Sequence, residues 1–537
     1  MSGLPDISSR TLRFAYDRAL AEVPDQPAHI GGEGTYTVEE SHRRSMSIAQ
    51  GLTDLGVGRQ EPVGLLLDNS VDAVHAWTGT TLGAMAEVPI NTAYKGEFLA
   101  HILNDSATRV LICDDIYVDR VARIADDLTE LRSLVVRGDV AAADGIRTGG
   151  LRDRLQVGTF DELTAAPPAA ERPLAADDLM AYMYTSGTTG RSKGVLIPHA
   201  QAYTYASRED QDRPIAGDRI LVTLPLFHLA GQWYGVYQAL IHRVPCVIEP
   251  GFSVSRFWPT VREHGITVTV MLGAMAELLQ QSAPRADDAD NPLELAIMAP
   301  LASDIDAFGT RFDIDLAAVY GMSEVGAVLN GPPETLVGGE SGFPRNEFEL
   351  RLIEGGRDVA PGEVGELWVR PADPRLVMRG YHNLPEKTSE TIIDGWVHTG
   401  DAFRTDEEGR FFFSDRIKDA LRRRGENISS FEVERVINQH PGVFESAVVA
   451  VPSELSEDEI KAVVVPREGV DVDPRELTEF LIDRLPYFMV PRYLSFADAL
   501  PKTPTLKIQK NLLRNSGIGS NVWDREAAGI VVRRERR

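Results

Sequence analysis

Cysteine, lysine and long uninterrupted hydrophobic segments are scarce in this sequence. Two cysteines, Cys113 and Cys246, lie far apart among 537 residues, which argues against a disulfide framework or a cysteine-rich metal site and predicts a reducing, cytoplasmic setting. The most apolar long stretch, 221–248, is interrupted by polar residues that include His228 and Arg243. Since the N-terminus also lacks a charged-then-apolar signal pattern, neither a membrane span nor an export signal is predicted.

Basic residues are outnumbered by acidic residues. Asp and Glu number 80 against 55 Lys and Arg, which gives a formal net charge of −25 at pH 7. A nucleic-acid partner is not expected, because binding of a phosphate backbone needs a basic surface. The chain of 537 residues is longer than one hydrophobic core usually organises, so more than one domain is expected.

An alternation of strands and helices dominates the N-terminal half. Short β-rich runs at 63–67 and 110–112 alternate with helical patterns such as 45–55, and buried strands are predicted at 219–226 and 266–272. This rhythm is typical of a sheet covered by helices.

The residue composition and the predicted elements change in the C-terminal part of the chain. Glycine, proline and strand-like segments predominate from 331 to 410, which predicts a β-rich subdomain. A compact α+β pattern follows after Arg416. In it, Ser429 and Glu432 form a predicted capping box that opens a helix, and Asp473 before a proline opens another.

Residues 185–194 read TSGTTGRSKG and follow a predicted strand end at 182–184. Glycines let backbone N–H groups turn inward, hydroxyl side chains add neutral donors, and the two cations offset charge, as a polyphosphate requires. The spacing does not match the P-loop of nucleotide triphosphatases. The competing interpretation is a flexible polar linker.

This segment resembles the motif [ST]SG[ST]TGxPKG of the adenylate-forming superfamily, which includes acyl-CoA synthetases, luciferases and peptide-synthetase adenylation domains. Ser192 stands where that family usually has proline, and because serine does not fix φ, a looser loop is expected. The resemblance implies that the β- and γ-phosphates of ATP are held by Thr185, Ser186, Gly187, Thr188 and Thr189. It also implies that Lys193 binds the nucleotide.

A second segment, YGMSE at 320–324, resembles the family motif YG[MQ][ST]E. The resemblance implies that Tyr320, with Gly321 beside it, stacks on adenine, that Ser323 donates to the α-phosphate, and that Glu324 holds a bridging Mg²⁺. A Tyr-Gly turn with one exposed glutamate is otherwise a loop about as often as a site.

Two further segments, DGWVHTGD at 394–401 and the later pair Asp415-Arg416, also resemble family motifs. They imply that Asp401 accepts hydrogen bonds from both ribose hydroxyls and that Arg416 joins it near the ribose and phosphate. Taken alone, these are a common turn and a common surface pair. At 297–301 the chain reads IMAPL where the family often has GGAPL, a departure that resembles carnitine and crotonobetaine CoA ligases.

Lysine is rare, with eight in the chain, yet three of them, Lys502, Lys507 and Lys510, lie close together. Their segment resembles the family's PK[ST]xxGKIxK and places the adenylation lysine at Lys507, where an ammonium neutralises charge that builds at phosphorus. Leu506 replaces the family's glycine before that lysine. The competing interpretation is a solvated basic strand edge.

The resemblance also implies a moving second domain. It places the hinge at Lys418, hence a domain of 1–417 that binds ATP and the acid and a mobile α+β domain of 418–537. It places Gly425, in the segment RGENIS, in the tunnel that admits the pantetheine arm of CoA.

The segment PLFHLAGQW at 225–233 resembles the family's P-x-x-H segment, which borders the substrate carboxylate and implies a catalytic role for His228. A lone histidine is more often a satisfied core residue. Three explanations stay open for a nearby aromatic group: an acyl tunnel, a cage for a quaternary ammonium, or ordinary core packing. The group comprises Phe227, Trp233, Tyr234 and Tyr237.

Because the resemblance covers nearly the whole chain, the expected fold is α/β, with a large doubly wound N-terminal domain, a β-rich subdomain and a small hinged α+β domain. The implied function is that of an ATP-dependent acyl-CoA synthetase using ATP, Mg²⁺ and CoA on a carboxylic acid. An organic acid is favoured over a free amino acid, although Glu277 offers an ammonium partner. A carrier-protein-loading enzyme, a catalytically weakened relative and a luciferase-like enzyme stay open, as does a homodimer.

Overall fold

The computed structural model describes most of the chain. The described residues are 4–143, 155–185, 192–208, 214–416, 421–423, 426–428, 430–452, 458–485, 489–503, 508–519, 521–530 and 532. The α-helices comprise Leu12–Glu22, Val38–Asp54, Val71–Leu82, Glu97–Asp105, Val118–Arg123, Phe160–Ala165, His199–Ala206, Leu229–Gly231, Gln238–His242, Val254–His264, Gly273–Gln280, Ile305–Phe312, Pro385–Thr391, Ser430–Asn438, Pro474–Ile482 and Lys510–Asn515. A π-helical segment, Gln232–Tyr237, joins two of them.

The strands in chain order are β1 (Pro27–Gly31), β2 (Gly34–Thr37), β3 (Pro62–Leu66), β4 (Ala86–Pro89), β5 (Val110–Asp114), β6 (Ser133–Arg137), β7 (Gln156–Thr159), β8 (Leu179–Thr185), β9 (Lys193–Pro198), β10 (Ile220–Val222), β11 (Cys246–Ile248), β12 (Val268–Met271), β13 (Leu295–Met298), β14 (Asp315–Met322), β15 (Gly326–Gly331), β16 (Glu340–Pro344), β17 (Phe348–Glu354), β18 (Arg357–Asp358), β19 (Gly365–Pro371), β20 (Gly380–Tyr381), β21 (Ile392–Ile393), β22 (Trp396–Thr405), β23 (Phe411–Arg416), β24 (Leu421–Arg423), β25 (Glu426–Ile428), β26 (Val443–Pro452), β27 (Asp458–Pro466), β28 (Tyr493–Phe496) and β29 (Trp523–Asp524).

Two large sheets carry the N-terminal part of the chain. One has the order β20-β9-β8-β4-β3-β5-β6-β7, and its strands β4, β3, β5, β6 and β7 run parallel. The chain starts at β3 and adds strands on both sides, which is the doubly wound pattern. The predicted fold class is therefore confirmed for this part.

The second large sheet joins a parallel region to the β-rich subdomain. Its path is β18-β17-β19-β22-β23-β16-β15-β14-β13-β12-β10-β11-β1-β2. Strands β11, β10, β12, β13 and β14 are parallel, whereas the strands from β15 to β19 and β22 to β23 pair antiparallel. The change of direction at β14 and β15 brings the β-rich segments to the carboxyl ends of the parallel strands.

Local chemistry explains where several elements begin and end. The helix predicted at 45–55 begins earlier, at Val38, because Thr37 and Glu40 form a capping box. The strand predicted at 219–226 is much shorter, because the chain leaves the sheet after Val222 and its backbone bonds to Asn69 instead. Strand β5 is buried throughout, as expected where helices cover both faces of a parallel sheet.

The C-terminal residues form a small α+β unit with its own core. Strands β26 to β29 make one sheet, and the apolar faces of two helices pack on it through Val433, Ile437, Leu477 and Leu481. Asp473 caps the second helix as predicted, accepting from the N–H groups of two following residues. The capping box at Ser429 and the boundary between 417 and 418 lie outside the described residues. None of the described helices is long and apolar enough to span a membrane.

Candidate active site

The predicted phosphate loop connects two antiparallel strands. Thr185 ends β8, Lys193 begins β9, and the two residues lie opposite each other in the register. Thr185 and Lys193 are partly exposed at this edge. The loop itself, 186–191, lies outside the described residues, and four assignments stay predictions for that reason: Ser186, Gly187, Thr188 and Thr189.

One helix, which ends at Asp105, anchors both ends of this loop. The ring of His101 lies with Nε2 2.9 Å from the carbonyl oxygen of Ser192, at the returning end. The Tyr184 hydroxyl donates to the Asp105 carboxylate over 2.7 Å at the leading end, and His382 Nε2 lies 2.8 Å from the Asp105 carbonyl oxygen. The restraint on Ser192 therefore comes from His101, a residue that no sequence motif indicated.

The YGMSE segment forms the tip of the hairpin between β14 and β15. Strand β14 continues through residue 322, so Tyr320 lies within the strand. A side chain at Gly321 is excluded, because its Cβ would lie 2.4 Å from the carbonyl oxygen of Gly326. Gly326 itself has φ of 75°, which favours glycine. Both glycines therefore allow a tight turn that presents Ser323 and Glu324.

The turn residues Ser323 and Glu324 are held from two sides. Both are buried, 8% and 7% exposed. The Gln201 carboxamide donates to the Ser323 carbonyl oxygen over 2.7 Å, and the Tyr381 hydroxyl donates to the Glu324 carboxylate over 2.9 Å. Burial, and then the Glu324 carboxylate, raises the pKa of Tyr381 above its ordinary value, so the hydroxyl stays protonated and can donate.

Tyr381 also connects this turn to the phosphate loop. The Lys193 ammonium lies over the Tyr381 ring, 4.3 Å from the ring centroid. Tyr381 belongs to β20, which pairs with β9 just after the loop. The first two motifs thus meet through one tyrosine that lies outside both of them.

The third motif meets the second through Tyr320. The Tyr320 hydroxyl donates to the Asp401 carboxylate over 2.7 Å, while its ring packs edge-on against Phe403, with centroids 4.7 Å apart. Asp401 is 5% exposed and lies opposite Arg416 in the β22–β23 register. The structure thus brings together Lys193, Ser323, Glu324, Tyr320 and Asp401, which the sequence placed in three separate motifs.

The predicted acid-binding segment lies at the carboxyl end of β10. His228 precedes the helix that starts at Leu229, and both His228 and Phe227 are partly exposed residues, although His228 Nε2 itself is buried. Asn69 lies between β3 of the other large sheet and the helix that starts at Val71. Its carboxamide bonds to the backbone here, accepting from Leu226 N over 2.8 Å and donating to Leu224 O over 2.9 Å. The backbone that leads to His228 is therefore held by a residue that follows a strand of the other sheet.

The aromatic residues that follow His228 are mostly core residues. Trp233, Tyr234 and Tyr237 are each at most 1% exposed. Tyr205 makes T-shaped contacts with the first two, and Tyr203 with the third. Among the three explanations, this burial favours core packing for these residues, whereas Phe227 remains at the partly exposed edge.

Two acidic side chains, those of Glu277 and Glu87, are already hydrogen-bonded within the fold. The Glu277 carboxylate accepts from the backbone N–H of Ser303 over 2.6 Å, so it already has a structural partner. The fully buried Glu87 accepts from Gln232 Nε2 over 2.8 Å. Burial raises the pKa of Glu87 well above its ordinary value, and the Gln232 hydrogen bond only partly opposes this.

Two of the three clustered lysines have acidic partners within the C-terminal unit. Lys502 Nζ lies 2.5 Å from the Glu445 carboxylate, and Lys510 Nζ lies 2.8 Å from Glu434. These contacts indicate structural roles for both lysines. Lys507 and Leu506 lie outside the described residues, as do Lys418 and Gly425, so their assigned roles stay predictions.

Comparison with known proteins identifies matches along nearly the whole chain. The family described as AMP-binding enzyme matches residues 16–382, and the AMP-binding enzyme C-terminal domain matches 432–507. The chain is 30% identical to the fatty acid–[acyl-carrier-protein] ligase ScoC of Streptomyces coeruleorubidus, over 92% of this chain and 93% of that protein. It is 32% identical to a crotonobetaine/carnitine–CoA ligase of Escherichia coli, over 85% and 89%.

A solved structure is similar over the same extent. The anthranilate CoA ligase AuaEII in complex with anthranoyl-AMP superposes with a TM-score of 0.85 at 25% identity, covering 96% of this chain and 98% of that one. The similarity therefore includes both the large N-terminal part and the small C-terminal unit.

Proposed function

This chain belongs to the family of AMP-binding enzymes, and from that premise we propose that it activates an organic acid as an acyl-adenylate and transfers the acyl group to CoA. It is an AMP-forming acid–thiol ligase that uses ATP. The class of the acid substrate and the identity of the thiol acceptor are our proposals. The observation that carries the proposal is the contact series from Lys193 through Tyr381 and Glu324, and from Tyr320 to Asp401.

In the first step, a carboxylate oxygen of the acid attacks the α-phosphorus of ATP, and pyrophosphate leaves. Lys193, beside the phosphate loop, offsets the charge of the β- and γ-phosphates. Tyr320 places its ring beside the adenine, and the Asp401 carboxylate accepts from the ribose hydroxyls. We assign Lys507 to the charge that builds on the α-phosphate in the transition state.

The arrangement around Glu324 fits a magnesium ion. Among the described residues no group of three or more His, Cys, Asp or Glu side chains could hold a metal, and Mg²⁺ usually binds through one or two carboxylates, substrate phosphates and water. Glu324, with one carboxylate oxygen bonded to Tyr381, would hold it. When bound, the ion offsets phosphate charge.

In the second step, the thiol sulfur of CoA attacks the carbonyl carbon of the acyl-adenylate, a thioester forms and AMP leaves. We propose that the C-terminal domain rotates about Lys418 between the two steps. In the active site, the segment of Gly425 then replaces that of Lys507 and admits the pantetheine arm. No protein side chain is needed as a nucleophile, because the mixed anhydride already activates the carbonyl group.

The acid is proposed to be an organic acid with an apolar or quaternary-ammonium body. His228 and Phe227 form the partly exposed edge of the segment, and Glu277 is bonded to Ser303 N. An amino acid would bring an ammonium group whose desolvation needs a buried acidic partner. The relatives named for crotonobetaine, carnitine and fatty acids support this choice.

The test is release of pyrophosphate and AMP from ATP across a panel of carboxylic acids, with CoA present and absent. We expect adenylate formation with a fatty, aryl or carnitine-like acid and CoA-dependent turnover. Strong activity with amino acids and none with these acids would contradict the proposed substrate class.

Transfer to a carrier protein is the second candidate. It is supported by the relative named fatty acid–[acyl-carrier-protein] ligase, which matches over 92% of this chain. Replacing CoA in the same assay with a phosphopantetheinylated carrier protein separates the two acceptors. Thioester formed on the carrier but not on CoA would favour this candidate.

A further inference from the structure

Tyr381 occupies a position that both of its flanking elements fix. Its strand pairs with β9 through Val195, two residues after Lys193, and its backbone N–H donates to the Thr388 hydroxyl over 2.9 Å. The preceding Gly380 has φ of 148°, and a Cβ there would lie 2.8 Å from the Thr388 side chain. The backbone of Tyr381 is thus held from the sheet on one side and from a helix on the other.

The side chain of Tyr381 makes one contact with a cation and another with a carboxylate. Its ring face lies 4.3 Å from the Lys193 ammonium, and its hydroxyl donates to the Glu324 carboxylate over 2.9 Å. A ring face attracts a cation, and a phenol donates well to a carboxylate, so both contacts are favourable. The side chain is 7% exposed, which limits exchange of either contact for water.

We propose that Tyr381 is a positioning residue that holds Lys193 and Glu324 in the arrangement that magnesium-bound ATP requires. This rests on the proposed function, in which Lys193 meets the phosphates and Glu324 holds the cation. A lysine and a glutamate that serve one triphosphate attract each other, and a direct ion pair between them would neutralise both. Tyr381 binds Lys193 with its ring face and Glu324 through its hydroxyl. Each charged side chain therefore has a partner other than the oppositely charged one.

The two contacts can be removed separately. Tyr381→Phe keeps the ring beside Lys193 and removes only the hydrogen bond to Glu324. Tyr381→Leu removes both contacts. A matched control is Tyr117→Phe, because Tyr117 is also 7% exposed and its hydroxyl donates to a carboxylate, that of Asp68, over 2.7 Å.

The experiment measures ATP binding by calorimetry without metal and along a Mg²⁺ titration, together with pyrophosphate release along the same titration. For Tyr381→Phe we expect ATP affinity without metal within about twofold of wild type, and a Mg²⁺ requirement roughly 5- to 10-fold higher, as loss of one hydrogen bond to a charged group predicts. Excess Mg²⁺ should restore most of the rate. Tyr381→Leu should also weaken metal-free ATP binding by roughly 3- to 10-fold.

The outcomes separate this inference from the proposed function. If Tyr381→Phe and Tyr117→Phe show the same Mg²⁺ requirement, or if Tyr381→Leu binds metal-free ATP as well as Tyr381→Phe does, the positioning role is wrong. A purely structural role would lower the rate at every Mg²⁺ concentration and lower the melting temperature, which also contradicts it. Wild-type protein that binds no ATP would overturn the proposed function and this inference together.

Discussion

The side-chain oxygen of Asn69 accepts a 2.8 Å hydrogen bond from the backbone N–H of Leu226. The same carboxamide donates to the carbonyl oxygens of Leu224 and Glu249, over 2.9 and 3.2 Å. One side chain from the connection that follows β3 thereby makes three hydrogen bonds to backbone groups beyond the ends of two strands of the second large sheet. The segment that carries His228 follows directly, so its placement depends on this connection between the sheets.

Asn69→Asp is predicted to weaken use of the organic acid selectively. The aspartate still accepts from Leu226 but has no donor for the two carbonyl groups, and loss of such bonds costs about 1 to 3 kcal/mol. We expect KM for the acid to rise roughly tenfold or more, with KM for ATP little changed. Steady-state kinetics with each substrate varied in turn measure this.

The matched control for that variant is Asn291→Asp. Asn291 also donates to two backbone carbonyl groups, over 2.9 and 3.0 Å, and accepts from one backbone N–H over 3.0 Å. It lies in the polar loop that precedes β13, away from the site. An equal rise in KM for the acid in both variants would show that Asn69 acts only through stability.

Lys507→Ala is predicted to lower acyl-adenylate formation by about 100- to 1,000-fold, as loss of one charge-stabilising group in a transition state does. Thioester formation from supplied acyl-adenylate should be largely retained. Pyrophosphate release and thioester formation, assayed separately, measure the two half-reactions. Equal loss in both would refute the assigned role.

The neighbouring lysines supply comparison variants for Lys507. Lys502 and Lys510 have carboxylate partners in Glu445 and Glu434, so their replacement by alanine should lower the melting temperature and spare adenylation. If Lys510→Ala abolishes adenylation while Lys507→Ala does not, the adenylation lysine is Lys510, and Leu506 in place of glycine has displaced the loop.

Lys418→Pro is predicted to spare adenylation and block thioester formation. Proline fixes φ near −65° and so prevents the backbone rotation that re-aims the second domain. Single-turnover measurement of each half-reaction with CoA present checks this. An unchanged CoA step would place the hinge elsewhere.

Glu87→Gln is predicted to flatten the dependence of stability on pH. The folded state raises the pKa of Glu87, so it binds a proton that the unfolded chain releases near pH 4.5. Stability from this group is therefore present at low pH and is lost as pH rises through the raised pKa, by up to about 1.4 kcal/mol per pH unit. Glutamine keeps an acceptor for Gln232 and does not ionise.

Urea unfolding of wild type and Glu87→Gln from pH 5 to 9 measures this difference. The variant should gain stability relative to wild type as the pH increases. Glu97→Gln, a change at an exposed glutamate, is the control for surface charge. Parallel pH curves for wild type and Glu87→Gln would show that Glu87 ionises in the folded protein much as it does in the unfolded chain.

The sequence predicted the fold class and the motif-bearing segments because these depend on local patterns. A polyphosphate needs glycines and hydroxyl groups in one short loop, and a turn such as that of Gly321 needs consecutive residues, so both features are visible along the chain. Element boundaries were less well predicted. A strand was predicted at 219–226, but the observed strand is only Ile220–Val222, because Asn69 makes hydrogen bonds with the backbone of the residues that follow.

The residues that sequence reasoning missed are those that act across long separations. Tyr381, His101 and Gln201 each bond to a motif from a distant part of the chain. None has an unusual local sequence context, since a tyrosine in a short strand or a histidine on a helix is ordinary. Only the folded arrangement reveals their partners.

The two contacts that anchor the phosphate loop fix the spacing of two residues on the anchoring helix. His101 binds one end of the loop and Asp105 the other, and four residues span about one helical turn, so both side chains face the loop. Each inserted residue rotates the helix surface by about 100°. A one-residue insertion or deletion between His101 and Asp105 would turn one anchor away from the loop. Among homologous chains the number of residues between the two anchors should therefore stay constant, even though the same helix exposes Phe98 by 65%.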